Sequence, residues 1–165
     1  MKKTFFYLLR AVSVVYLLTI SIVLCGLIYN VLTKQVPSIP DSLKTGILCA
    51  AIGGIGGCVY CLRSIYIHVC IKRDYDNIWM IWSYIRPIIS IICGGVSYLF
   101  LRAGLFALGS VKDKDTSDLG FYALAFIAGL NVDKFLLKIE DLAKTAWGIE
   151  KSRTSAESEV KEQDE

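Results

Sequence analysis

The chain has 165 residues, is 55% apolar and has a mean hydropathy of +0.53, which is more than one water-soluble domain of this length carries. The surplus needs lipid. A net charge of +3, with a charged tail of mixed sign, gives no basis for nucleic-acid binding, and a single histidine leaves little from which to assemble a catalytic acid and base.

Four apolar stretches, residues 11–32, 46–69, 87–108 and 119–137, predict an all-α integral membrane bundle with four transmembrane helices. A hydrocarbon core of roughly 30 Å takes about 20 helical residues to cross, and the first three stretches reach that length. The fourth is uninterrupted only over residues 119–132, before Asp133 and Lys134. That length also fits a re-entrant or bundle-buried segment, so three spans are the alternative.

The first stretch follows "MKK", as a secretory signal would, but it is longer than a signal core and no small-x-small site ends it. Leu24 before Cys25 is too bulky for a lipoprotein box. A retained first helix is expected, ended by "KQVPSIPDS", where Pro37 and Pro40 forbid helix continuation.

The second stretch contains "GGIGGCVYC", Gly53 to Cys61. A phosphate loop needs a third glycine where Val59 stands, or a Lys-Ser pair that is absent, and it would not lie within an apolar span. Helical spacing accounts for the stretch better. Cys49, Gly53, Gly57 and Cys61 form one ridge and Gly46, Ala50, Gly54 and Cys58 its neighbour, a nearly flat face against which another helix can pack closely. Spacing does not tell whether that helix belongs to the same chain. Cys58 and Cys61 also match the C-x-x-C of membrane thiol oxidoreductases, yet neither outer loop supplies a second pair. All six cysteines lie in or beside apolar segments, where a thiol behaves as a small hydrophobe. No metal site and no cofactor is predicted.

The connection "KRDYDNIWMIWSYIRP" carries Trp79, Trp82, Tyr84 and Arg86, side chains suited to the headgroup region. It predicts an interfacial helix, capped by Asp76 or Asn77, that turns into the third span near Pro87. Within that span Arg102 is the costliest residue, with further apolar residues on both sides. It either snorkels to the outer headgroups or faces a polar cavity or subunit interface. Arg63 and Asp133 are the other candidate charges at span ends, and Asn131 is a polar residue in the fourth stretch.

Beyond it, Phe135, Ile139 and Leu142 recur at helical spacing among charges, an amphipathic extension on the inner side. Residues 1–150 thus form the membrane domain, and the charged residues 151–165 a disordered tail. Lys2, Lys3 and Arg10 before the first span, and Arg63, Lys72, Arg73 and Arg86 around the second connection, orient both termini to the cytoplasm if four spans cross.

The runs "RPIISIICGGVSYLFLRAGL" and "FIAGLNVDKFLLKIEDLA" resemble segments of small multi-pass bacterial membrane proteins, mostly uncharacterised. The resemblance covers residues 46–148. It implies a bacterial inner-membrane location and brings no activity with it. The residues themselves leave three readings: a homo-oligomer forming a gated channel for ions or small solutes, a non-catalytic anchor or sensor that recruits a soluble cytoplasmic partner, and a thiol oxidoreductase. None of the first two is an enzyme, and the bilayer is the partner common to all.

Overall fold

A computed structural model describes residues 2–33, 40–72, 77–103 and 114–148; the predicted tail, 151–165, lies outside the described residues. Every regular element among them is helical: α1 (Lys2–Leu32), α2 (Asp41–Tyr66), continued by a π-helical segment (Ile67–Lys72), α3 (Asn77–Arg102), α4 (Lys114–Leu130) and α5 (Val132–Trp147). The chain divides into two compact units, Met1–Asn131 and Val132–Glu165.

Three helices are long and apolar enough to cross a membrane, over Ala11–Leu32, Asp41–Val69 and Ile81–Arg102. A fourth span exists only if α4 and α5 are counted as one broken segment. The break replaces the continuous segment expected over 119–137: α4 stops at Leu130, Asn131 is a turn residue, and α5 starts at Val132.

Local chemistry explains the helix boundaries. Pro40 precedes α2 with an extended ψ of 143°, and its carbonyl accepts from the Leu43 and Lys44 amides. Asp41 in the first turn complements the positive end of the helix dipole. In α1, where lipid offers no partner, Thr19 Oγ1 and Asn30 Nδ2 donate to the carbonyls of Val15 and Gly26 on their own helix. Gly148 closes α5 with a φ of 68°, a left-handed conformation costly for other residues, and its amide bonds the Lys144 carbonyl.

The third span differs from expectation at both ends. The aromatic segment and the span are one helix, α3, which runs through Pro87 without a break. Proline removes one backbone donor, which a membrane helix tolerates when packed neighbours compensate. Pro87 is buried and packs closely on α2: a Cβ on Gly57 would lie only 3.5 Å from its Cα. At the other end α3 finishes at Arg102, not Leu108, and residues 104–108 lie outside the described residues.

Candidate functional site

The glycines of α2 set the architecture of the first unit. A Cβ on Gly53 would stand 2.7 Å from both Gly94 Cα and the Ser90 carbonyl oxygen of α3, and one on Gly57 would run into the Ser90 hydroxyl. The neighbouring ridge turns to α1 as well: a Cβ on Gly54 would meet Leu24 at 2.8 Å and Ile91 at 2.6 Å. Gly56, on neither predicted ridge, meets α4, where the Phe126 carbonyl oxygen would be 2.5 Å away and the Leu130 nitrogen 3.0 Å. Gly129 of α4 in turn approaches Gly53 so closely that a Cβ would collide with its carbonyl. These faces are therefore occupied within one chain, and backbone proximity is what the missing side chains provide.

Leu24, Gly53 to Gly56, and Ile91 to Gly94 all lie near the middle of their spans, so these contacts mark the bundle's mid-depth. On one side of this level, the Arg102 end, Cys49, Tyr98 and Ala125 form a buried cluster with Phe121 and Tyr122 against it. Gly46 leaves room for the Tyr98 ring, which would be 3.3 Å from a Cβ there, and Ala50 lies beside Gly94 and Gly95. Arg102 itself is exposed; its guanidinium donates to the Tyr98 hydroxyl at 2.6 Å. A cation in the last turn of a helix also meets the negative end of the dipole.

On the other side, the Arg86 end, only α1, α2 and α3 supply the packing given by the described contacts. Leu17, Cys58, Cys61 and Ile65 form its buried cluster. Tyr16 and Tyr84 stack with centroids 4.8 Å apart, and Ser13 Oγ donates to the Tyr84 hydroxyl at 3.3 Å. Arg86, expected to anchor at the interface, is 2% exposed. Its guanidinium carbon lies 3.5 Å from the Tyr60 ring centroid and 5.5 Å from the half-exposed Trp82. A desolvated cation–π contact of this kind is worth about 2 kcal/mol, so burial among rings is a physically reasonable state for Arg86. Trp79 occupies the first turn of α3. Arg63 is exposed in the last turn of α2, and Asp133 is exposed in the first turn of α5.

The distinctive feature is where α4 stops. Its apolar part, Leu119–Leu130, spans about 18 Å at 1.5 Å per residue, little more than half a bilayer core. Phe121 lies against Tyr98 at the Arg102 end, with ring centroids 5.7 Å apart, while Gly129 and Leu130 lie beside Gly53 and Gly56 at mid-depth. Thus α4 fills one half of the bundle and ends in the middle. Its terminal carbonyls need donors there. The buried Ser90 hydroxyl donates to the Gly129 carbonyl at 3.0 Å, and the Asn131 amide to that of Ile127 at 2.9 Å. The Asn131 side chain is exposed.

Among the described residues, four of the cysteines behave as core residues. Cys49, Cys58, Cys61 and Cys93 are buried free thiols and Cys25 is an exposed one. Among the described residues no group of three or more possible metal ligands is brought together.

The small-residue face of α2 is legible from spacing; Arg102, expected within a span that continues to Leu108, is instead the last residue of α3. The ridge partners are not: Gly94 and Gly129 are the counterparts, and the recurrence of small residues at Ser90, Gly94 and Ser97 on α3 marks only the first of them. Ser90 and Ser13, which by composition need only return hydrogen bonds to their own helices, instead bond across helices because both face neighbours in the bundle. No family model, curated protein or solved structure matches this chain, so what it does is argued from these residues.

Proposed function

We propose that the chain forms a homo-oligomer in the bacterial inner membrane, with α4 facing the symmetry axis and bordering a gated pathway for ions or small solutes. One observation carries the reading: α4 ends at mid-depth with Asn131 exposed beside its last turn. Non-helical backbone and exposed amides at that depth are tolerated where they meet protein or line a water-filled cavity, not where they meet lipid. The sidedness follows from charge. Arg10, Arg63, Lys72 and Arg86 all belong to the Arg86 end, which is the cytoplasmic one under the positive-inside rule.

The test is ion flux through liposomes containing the purified oligomer, scanned over membrane potential. Flux is expected, and Asn131→Leu should change it at least threefold. Membranes equally tight with both proteins would overturn the pathway.

A second reading is favoured by a different observation, the separate unit that begins at Val132. In α5 Phe135 is buried and Ile139 and Leu142 are half-buried, while Asp133, Lys134, Lys138, Asp141 and Lys144 are exposed. Such a charged face suits recruitment of a soluble cytoplasmic partner by a membrane anchor. In that case removal of residues 132–165 abolishes partner capture and Asn131→Leu is silent.

A further inference from the structure

The outward face of α4 carries Leu119, Ala123, Ile127 and Asn131 at successive i+4 positions, all exposed in the single chain. The opposite face is used: Ala125, Ala128 and Gly129 are buried, and Gly129 abuts Gly53. The exposed face is apolar except at its deepest residue. Leu119 is 68% exposed and Ile127 53%, which lipid tolerates, but a carboxamide at mid-depth is not a group that lipid satisfies. Among the described residues no hydrogen bond to the Asn131 side chain is found; its backbone amide alone is engaged, with Ile127.

We infer that a second copy of this chain covers this face, pairing the two α4 helices so that each Asn131 carboxamide hydrogen-bonds the other. The inference rests on the oligomeric reading above and names its contact. A carboxamide is self-complementary, offering a carbonyl acceptor and an NH2 donor, so one residue type satisfies both partners about a symmetry axis. Ala123, two helical turns away on the same face, lets the helices approach without a bulky side chain between them. The tight glycine faces of α2 are unavailable for this purpose, since α3 and α4 of the same chain already fill them. Asn131 is thus the polar contact through which copies recognise one another inside the membrane.

The experiment is cross-linking of the full chain in native membranes with a membrane-permeant bismaleimide. A Cys25→Ser, Cys70→Ser background leaves only the four buried native thiols, Cys49, Cys58, Cys61 and Cys93. In it, Asn131→Cys should give a covalent dimer at least fivefold above Ile22→Cys, a 71% exposed position near the middle of α1. Equal labelling without dimer at both positions overturns the inference. Should Asn131→Cys fail to accumulate, Ala123→Cys is expected to cross-link in the same way. The pathway and the contact fail separately. Dimer from Asn131→Cys with flux-tight liposomes retains the contact and removes the pathway, whereas flux without cross-linking at either position overturns the contact.

Discussion

The two halves of the first unit reach close packing by opposite means. At mid-depth three helices, α2, α3 and α4, meet through backbone, with Gly53 against Gly94 and Gly129, and Gly56 against the end of α4, while α1 adds the Leu24 side chain against Gly54. Toward Arg86, three helices fill the same kind of space with large side chains: Tyr16 on Tyr84, Leu17 on Cys58 and Cys61, and Arg86 on Tyr60. Where hydrophobic force does not draw helices together, the first solution gains dispersion from proximity and tolerates no added atom. The second places polar tips in contact with one another and depends on the shape of each side chain. The difference teaches where this protein is brittle. It also locates the one place where neither solution is complete, the end of α4.

If the glycine half is as intolerant as its contacts indicate, Gly129→Val should have the largest effect, destabilising the fold by about 3 kcal/mol through overpacking against Gly53. Gly26→Val, where nothing lies within 4 Å, serves as control and should leave stability almost unchanged. Unfolding in mixed detergent micelles measures both, and equal midpoints would break the comparison. In the aromatic half, Arg86→Lys keeps the charge and loses the flat guanidinium face over Tyr60. A loss of about 1–2 kcal/mol is expected, with Tyr60→Leu giving a similar loss and the double variant little more. Full additivity would separate the two residues. The smallest effect is at the boundary: Ser90→Ala removes the donor to the Gly129 carbonyl, at a cost of about 1 kcal/mol. Its signature is local, faster amide exchange in the last turn of α4 with α1 unchanged.

Much of the fold is visible in the residues. Long apolar runs with few charges give helices, and the Gly and Cys positions of α2 give its packing face directly, because helical period alone decides which side chains share a side. The candidate site is only partly visible. Asn131 and Asp133 stand out as polar residues in an apolar stretch, but composition alone gives Asn131 the same meaning as any span-end residue. Depth gives it another, and depth depends on which residues of α2 the last turn of α4 meets. Arg86 shows the limit from the other direction. Next to Trp82, Tyr84 and Pro87 it has the composition of an interfacial anchor, and only the position of Tyr60 on the adjacent helix provides the ring that buries it.

The sequence by itself determined that the chain is helical, that three of its helices are long and apolar enough for a membrane, and that α2 presents small residues along its length. Those properties are local, set by period, side-chain size and the cost of placing charge in hydrocarbon. The tertiary structure alone decided that α2 spends its glycines on its own chain, that α3 runs through Pro87, and that α4 ends half-way across with its last carbonyls held by Ser90 and Asn131. Each of these depends on what a distant helix places opposite a given residue, which no spacing along one helix contains.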